Sequence, residues 1–175
     1  MTDAATTTDH SVDDGSEPIL RVENISKLFG GVHAVERCSM KVGRGSITGL
    51  IGPNGSGKTT LFNVLTGMTQ SDDGGAYFLN RKINGLKPHA IFNLGMSRTF
   101  QITRVFKKMT VMENLRVAAP HGAGGEDILE RAGELLRLFN IWDLHDRYAE
   151  DLSYGQQKLL EFARALMPEP VMVML

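Results

Sequence analysis

The feature that most constrains this chain is the stretch Ile51–Leu65, IGPNGSGKTTLFNVL. Within it, Gly52, Gly57, Lys58 and Thr59 have the spacing G-x-x-x-x-G-K-[ST]. Glycines allow the backbone to turn tightly, so that successive N–H groups converge on an anion. A helix that follows such a loop adds its unpaired N-terminal N–H groups and the positive end of its dipole. The motif therefore predicts a phosphate-binding loop, or P-loop, between a strand and a helix.

The side chains of this loop extend the prediction from phosphate to a nucleotide with its metal ion. Lys58 is placed as a point charge for the β- and γ-phosphates, and the Thr59 hydroxyl is placed as a Mg²⁺ ligand. The apolar run 46–51 (SITGLI) predicts a buried strand, and 60–66 predicts the helix. The residues expected to bind the nucleotide here are Gly52, Pro53, Asn54, Gly55, Ser56, Gly57, Lys58, Thr59 and Thr60.

Composition excludes several other classes of protein. The apolar content is 42% and the charged content 22% over 175 residues, which is ordinary for a soluble globular domain with its own core. The net charge of −1 argues against nucleic acid as a partner. The single cysteine, Cys38, excludes an internal disulfide and fits a reducing compartment. No apolar run has the length of a membrane span, and the polar N-terminus does not resemble a signal peptide. We therefore expect any membrane role to operate through partners.

The chain before the P-loop divides into two parts. Residues 1–17 carry five acids and no Lys or Arg, which predicts a disordered acidic tail. From Pro18 to Val42 apolar runs flank a turn at Gly30 and Gly31, which predicts a small antiparallel sheet ahead of a parallel core. After the P-loop helix we expect strands at 76–79 and 97–100, with a short helix starting at Pro88.

The second half of the chain changes to helical spacing. From Thr110 the pattern turns helical, and the apolar residues over 128–139 recur at helical spacing: Ile128, Leu129, Ala132, Leu135, Leu136 and Phe139. The stretch from about Thr103 to Leu152 is therefore predicted to be a helical insert within the α/β core. In the run DLSYGQQKLLEFARALM, Ser153 and Gln156 form an S-x-x-Q capping box that starts a helix. Gly155 in its first turn predicts N–H groups open to a second anion. The final run VMVML predicts a buried strand.

The P-loop and the string LSYGQ together resemble the nucleotide-binding subunit of ATP-binding cassette (ABC) transporters. The resemblance covers about Ile19 to Leu175, and LSYGQ matches the family signature LSGGQ with Tyr154 in place of its first glycine. The strings SRTFQ, MTVMENL and LSYGQQKLLEFARAL resemble the ATPases of bacterial branched-chain amino-acid uptake systems. ATPases of urea uptake and of lipopolysaccharide export are close relatives and stay open as alternatives.

The resemblance implies a fold and an activity. The fold is an α/β P-loop NTPase core of the ABC ATPase type over 18–175, with an N-terminal antiparallel β subdomain and a helical subdomain at about 103–152. The activity is binding and hydrolysis of ATP with Mg²⁺. By matching positions, Phe29 stacks on adenine, and Gln101 is a catalytic residue that contacts Mg²⁺ and senses the γ-phosphate. Ser153, Gly155 and Gln156 bind the nucleotide held by a second chain.

The resemblance also implies partners and a location. The partners are a second ATPase subunit, identical or different, membrane-embedded permease subunits and, indirectly, a solute-binding protein. The residues Val105, Phe106 and Met109 resemble the groove that receives a helix of the permease. The chain is then a peripheral protein at the cytoplasmic face of the cell membrane. The solute cannot be read from this chain, because other subunits bind it.

One departure from the family pattern concerns catalysis. In the family the strand corresponding to VMVML is followed at once by Asp-Glu-Pro, whose Asp supports Mg²⁺ and whose Glu polarises the attacking water. The sequence ends at Leu175, so we expect a C-terminally incomplete ABC ATPase that is inactive alone. Two rivals remain. A GTPase or small-molecule kinase leaves LSYGQ unexplained, and a GTPase requires an N-K-x-D motif that the sequence lacks. The other rival is a non-catalytic nucleotide-binding fragment.

Overall fold

A computed structural model describes residues 6–8, 17–99, 105–120, 122 and 124–175. The chain divides into two compact units, Met1–Phe92 and Asn93–Leu175. Gln101 lies outside the described residues, and so does all of the predicted acidic tail except Thr6–Thr8 and Glu17. The assignment of 18–175 as one domain, with a helical subdomain at 103–152, stays a prediction.

The first unit is built on an antiparallel sheet, as its apolar runs predict. Its elements in chain order are β1 (Thr6–Thr8), β2 (Leu20–Phe29), β3 (Val32–Val42), β4 (Gly49–Ile51), α1 (Lys58–Leu65), β5 (Asp73–Phe78), β6 (Arg81–Lys82) and α2 (Pro88–Asn93, whose last residue opens the second unit). The four-stranded sheet has the order β3-β2-β5-β6. Every neighbouring pair in it is antiparallel.

The β2–β3 hairpin turns where the sequence predicts. Phe29 pairs with Val32, which leaves Gly30 and Gly31 as a two-residue turn. Their φ values are +53° and +84°, and positive φ at both central positions is what a type I′ hairpin turn requires. The alternating inward residues of β2 then form the core of the unit. Together with residues of α1, β5 and the following segments, the buried apolar side chains include Leu20, Val22, Ile25, Leu61, Val64, Leu65, Ala76, Phe78, Ile83 and Ile91.

The strand before the P-loop differs from its prediction. Only Gly49–Ile51 is extended, and Ile47 and Ile51 are exposed, so the expectation of a buried strand over 46–51 is wrong. Apolarity alone suggested burial, but within the described residues the one strand paired with β4 is β1. That pairing, antiparallel from Thr6↔Ile51 to Thr8↔Gly49, also gives three tail residues a strand where composition predicts disorder. Threonine is β-branched and adopts extended backbone readily, which accounts for the difference.

The second unit combines a parallel strand pair with helices. Its elements are β7 (Met96–Arg98), α3 (Val111–Val117), α4 (Gly125–Leu138), the 3₁₀ turns Trp142–Leu144 and Ala149–Asp151, α5 (Tyr154–Leu166) and β8 (Met172–Met174). β7 and β8 pair in parallel from Met96↔Met172 to Arg98↔Met174. The run VMVML therefore forms a strand over Met172–Met174, as predicted, but the expected burial holds only for Met174, and Val171 and Leu175 are exposed. Parallel pairing confirms the α/β class.

The helices α3, α4 and α5 of this unit share one apolar core. The predicted spacing over 128–139 produces α4, whose buried face packs with residues of α3 and α5. The acids of its first turn, Glu126 and Asp127, complement the helix dipole, as does Arg137 in its last turn. The core cluster consists of Val111, Leu115, Ala132, Leu135, Leu136, Ile141, Ala149, Leu152, Leu160, Ala163 and Met167.

Candidate functional site

The P-loop connects β4 to α1 and takes its shape from glycine backbone. Gly55 and Gly57 have φ values of +83° and +85°, a region that side-chain-bearing residues rarely adopt. At Gly57 a second constraint applies, because a Cβ atom there would lie 1.9 Å from the carbonyl oxygen of Ala34 on β3. Glycine is therefore required at position 57 by conformation and by space, and the β2–β3 hairpin lies directly against the loop.

The N-terminus of α1 remains available to an anion. Its N-cap is Gly57, and no side chain in the described part of the chain accepts a cap hydrogen bond there. The first turn of α1 also carries no acid, so its own residues leave the positive end of the dipole uncompensated. Helix termini of this kind leave N–H donors for a ligand. The predicted phosphate site thus has the expected backbone chemistry.

Lys58 spans the loop that precedes it. Its Nζ atom donates to the carbonyl oxygens of Gly52 and Pro53, each at 2.7 Å, and lies 3.4 Å from Ser56 Oγ. The ammonium group is thereby held over the residues that the motif assigns to phosphate. Because a lysine carries three donors on a flexible stem, the same group can exchange these carbonyls for phosphate oxygens.

The side chain that is predicted to bind magnesium lies at the start of α1. Thr59 is exposed in the first turn of α1. The described residues contain no cluster of three or more His, Cys, Asp or Glu side chains that could hold a metal. Mg²⁺ commonly takes one or two protein oxygens as ligands, with phosphate oxygens and waters completing its octahedron. The Thr59 hydroxyl is a hard oxygen donor of the right kind.

Phe29 occupies the tip of the β2–β3 hairpin, and the ring is 52% exposed. Its cross-strand partner Val32 precedes Ala34 by two residues, and Ala34 contacts the position of Gly57. The hairpin therefore carries an exposed aromatic ring on the strand pair that abuts the P-loop. Asn54 and Gly55 are exposed as well, and Thr60 is half-buried.

The signature string starts α5 through the predicted capping box. Ser153 Oγ accepts from the Gln156 N–H at 3.3 Å, and Gln156 Oε1 accepts from the Ser153 N–H at 2.9 Å. The expectation that this terminus leaves its N–H groups open is thus wrong for Gln156, because the capping serine already uses that donor. Around Gly155 the backbone is unobstructed, since an added Cβ would meet nothing within 4 Å.

A hydrogen-bonded strap lies just before the signature. We use this name for segments 105–114 and 148–152, which are joined by Ala149 N–H to the Met109 carbonyl (2.9 Å) and Glu150 N–H to the Lys107 carbonyl (3.1 Å). Gln157 of α5 donates to the carbonyls of Ala149 and Leu152, each at 3.1 Å. The strap therefore fixes the chain that leads into Ser153.

Asn114 is the buried centre of the first strap segment. Its side chain is fully buried, accepts from the Phe106 N–H (2.8 Å) and donates to the carbonyls of Phe106 (3.0 Å), Met109 (3.3 Å) and Thr110 (2.9 Å). Thr110 and Glu113 add a second capping box, at the start of α3. The sequence contains its T-x-x-E pattern within MTVMENL, so this cap was recognisable but was missed.

Of the predicted groove residues, Val105 packs against the helical core and Phe106 is 45% exposed. The guanidinium carbon of Arg164 lies 4.7 Å from the centre of the Phe106 ring, and burial lowers the pKa of Arg164.

Each helix in the described part of the chain is too short or too polar to cross a bilayer. Phe29 and the P-loop belong to the first unit, and the signature residues belong to the second.

Comparison with known proteins agrees with these features. The family model for ABC transporters matches residues 35–175. A protein of Archaeoglobus fulgidus, named as a probable branched-chain amino acid transport ATP-binding protein LivG, is 44% identical over 165 residues. The match covers 86% of this chain and 64% of that relative, so the chain spans about two thirds of the relative's length.

Solved structures give the same result. The chain is 40% identical to MJ1267, described as an ATP-binding cassette of an ABC transporter, with a TM-score of 0.81 over 90% of this chain and 68% of that one. It is also similar to the cassette MJ0796, described as a dimeric structure bound to ADP and Pi, at 25% identity and a TM-score of 0.76. That similarity covers 88% of this chain and 72% of the other.

Proposed function

The chain belongs to the ABC transporter family of ATP-binding proteins, and from that premise we propose that it binds and hydrolyses ATP to drive an importer of branched-chain amino acids. The observation that carries the proposal is the start of α1. A helix terminus without a side-chain cap among the described residues, a glycine-shaped loop and the Lys58 ammonium meet there, and together they support the binding of a triphosphate.

In this proposal each predicted residue keeps a defined role. The N–H groups of the loop and of α1 bind the phosphates, Lys58 neutralises the β- and γ-phosphates, and Thr59 holds Mg²⁺. When bound, Mg²⁺ would supply charge neutralisation across the phosphate oxygens. Phe29 stacks on the purine ring, and Gln101 serves as the γ-phosphate sensor implied by the resemblance. Hydrolysis is expected of a chain that carries the family's Asp-Glu-Pro after VMVML, and should appear there as phosphate release that Lys58→Ala abolishes.

A second ATPase subunit belongs to the proposal as well. In the resemblance, Ser153, Gly155 and Gln156 act on the nucleotide of the partner chain, and the dimeric relative MJ0796 supports such an arrangement. The Ser153 hydroxyl must then leave the Gln156 N–H, or share it, to reach a phosphate. The remaining partners are permease subunits that embed in the membrane, with a solute-binding protein acting through them. The chain would lie peripherally at the cytoplasmic face.

Thermal unfolding with and without Mg-ATP tests nucleotide binding. ATP at 100 times its dissociation constant should stabilise the wild type by about 2.7 kcal/mol. Lys58→Ala removes charge-assisted hydrogen bonds worth about 1.5–3 kcal/mol and should weaken binding roughly 10- to 100-fold. The matched control is Lys82→Ala, an exposed lysine on β6 of the same unit. An equal ATP-induced shift in wild type and Lys58→Ala would refute the P-loop assignment.

Uptake by cells tests the solute. The name of the Archaeoglobus relative supports a branched-chain amino acid over urea or lipopolysaccharide. Replacing the chromosomal codon to give Lys58→Ala changes a single side chain and should abolish uptake of labelled leucine while urea uptake continues. Lost urea uptake with normal leucine uptake would identify the urea system instead.

A further inference from the structure

The tip of the β2–β3 hairpin extends beyond the sheet that supports it. The pairing of β2 with β5 runs from Leu20↔Phe78 to Ser26↔Asp73, where β5 begins. In the described structure, Lys27–Phe29 therefore has β3 as a strand neighbour on one side and no strand of that sheet on the other. The register of β2 against β3 also shifts between Lys27 and Leu28. An exposed aromatic ring at such a tip requires another support if it is to keep one orientation.

Asp72 provides that support from the residue just before β5. Its Oδ2 atom accepts from the Leu28 N–H at 2.7 Å, and its Oδ1 atom accepts from Lys27 Nζ at 2.8 Å. The Asp72 N–H in turn donates to the Ser26 carbonyl at 2.9 Å. The Asp72 carboxylate thus accepts hydrogen bonds from the end of β2, beyond the point where the backbone of β5 stops pairing with that strand. The same contacts, first the hydrogen bond from Lys27, lower the pKa of Asp72.

Lys27 connects this support to the ring. Its Nζ atom lies 5.4 Å from the centre of the Phe29 ring, within the range of a cation–π interaction. The Lys27 side chain is only 15% exposed, whereas Phe29 is 52% exposed. The ammonium group therefore covers one side of the ring and is itself fixed by Asp72, while the remaining surface of the ring stays accessible to a ligand.

We propose that Asp72 and Lys27 are positioning residues that hold the Phe29 ring as a one-sided platform for the purine base. This inference rests on the proposed function, because it assumes that Phe29 stacks on the nucleotide. Neither residue touches the phosphates in this scheme. Their contribution should therefore appear only with ligands that carry a base, since base–aromatic stacking depends on the orientation of the ring.

Titration calorimetry with two ligands isolates this contribution. Mg-ATP carries both base and phosphates, and inorganic triphosphate with Mg²⁺ carries phosphates alone. Phe29→Ala should weaken ATP binding about 5- to 150-fold, the usual range for loss of a stacked base. Lys27→Met and Asp72→Asn should each weaken it about 3- to 10-fold, and all three should leave triphosphate binding within about twofold. Lys27→Arg keeps the cation and should restore most of the ATP affinity.

Matched controls keep the charge changes comparable. Lys82→Met removes an exposed lysine from β6, and Glu36→Gln removes an exposed acid from β3. Both should bind ATP and triphosphate as the wild type does. Circular dichroism on each variant verifies that the sheet has formed before affinities are compared.

The outcomes separate the inference from the function on which it rests. If Phe29→Ala weakens ATP alone but Lys27→Met and Asp72→Asn bind normally, the positioning role is refuted and the platform stands. If the Lys27 and Asp72 variants weaken ATP and triphosphate equally, their role is structural and the inference fails. If Phe29→Ala does not distinguish the two ligands, the stacking role in the proposed function fails and the inference fails with it.

Discussion

The P-loop region and the signature region both present a helix N-terminus, but they are shaped by opposite means. The P-loop takes its form from glycines with positive φ and begins α1 with no side-chain cap among the described residues. The signature region takes its form from side chains that bond to backbone, with Ser153 and Gln156 at α5 and Asn114 in the strap. The P-loop region should therefore lose stability when a substitution adds atoms, and the signature region should lose stability when a substitution removes them.

The largest effect should come from a single methyl group added to the P-loop. In Gly57→Ala the new Cβ meets the Ala34 carbonyl oxygen and requires left-handed backbone, so we expect a loss of about 2–5 kcal/mol in unfolding free energy. The matched substitution Gly155→Ala meets no atom within 4 Å and should stabilise α5 by about 0.5–1 kcal/mol. Urea denaturation measures both, and equal effects would refute the contrast.

The next effect should come from atoms removed from the strap. Asn114→Ala leaves the buried N–H and carbonyl groups around Phe106 without their partner, and should destabilise the chain by about 2–4 kcal/mol. Asn114→Leu fills the same volume without hydrogen bonds. If Leu recovers the stability that Ala loses, packing rather than hydrogen bonding holds the strap, and urea denaturation distinguishes the two.

Local patterns predicted the parts of both regions that involve neighbours in the chain. The Gly30–Gly31 turn and the Ser153–Gln156 box depend on residues within three positions, and both formed as predicted. The contact of Lys27 with Asp72 joins residues 45 positions apart, and no spacing rule identifies it. The exposure of Ile47 and Ile51 could not be predicted either, because apolarity indicates a tendency to be buried and not which element covers a strand.

A smaller effect should follow from removing the cap of α5. Ser153→Ala loses the hydroxyl that accepts from the Gln156 N–H and should reduce the unfolding free energy by about 1 kcal/mol. Ser153→Asp retains a good capping group and should remain near the wild type. The counterpart in the P-loop is Ser56→Ala, which removes no helix cap and should change stability by less than about 0.5 kcal/mol. Thermal melts measure the stability of the three variants. Equal losses of stability in Ser153→Ala and Ser56→Ala would contradict the contrast between a helix start with a side-chain cap and one without.

The smallest effects should appear at opposite ends of the pH scale. Lys27 lowers the pKa of Asp72 in the first unit, so the stability from this pair is present above the unfolded pKa of about 3.9 and is lost as pH falls through the folded pKa. Glu150 raises the pKa of Lys108 in the second unit, so that stability is present below the unfolded pKa of about 10.4 and is lost as pH rises through the folded pKa. Melts against pH should show that Asp72→Asn weakens only the acid response and Lys108→Gln only the alkaline one. If Asp72→Asn also changed the alkaline response, or Lys108→Gln the acid response, the two ion pairs would not be independent.

The strand pairings described above also imply an order of events during folding. The β2–β3 hairpin closes through two residues, whereas the pairing of Met96 with Met172 encloses α3, α4 and α5 in one long loop. The entropy lost on closing a loop grows with its length, and non-local parallel pairing is slow for that reason. The antiparallel hairpin that carries Phe29 should therefore acquire protection from hydrogen exchange before β7 does. Pulse-labelling that found β7 protected first would contradict this order. Because β7 pairs with β8 in the described structure, both strands should become protected together, after the hairpin.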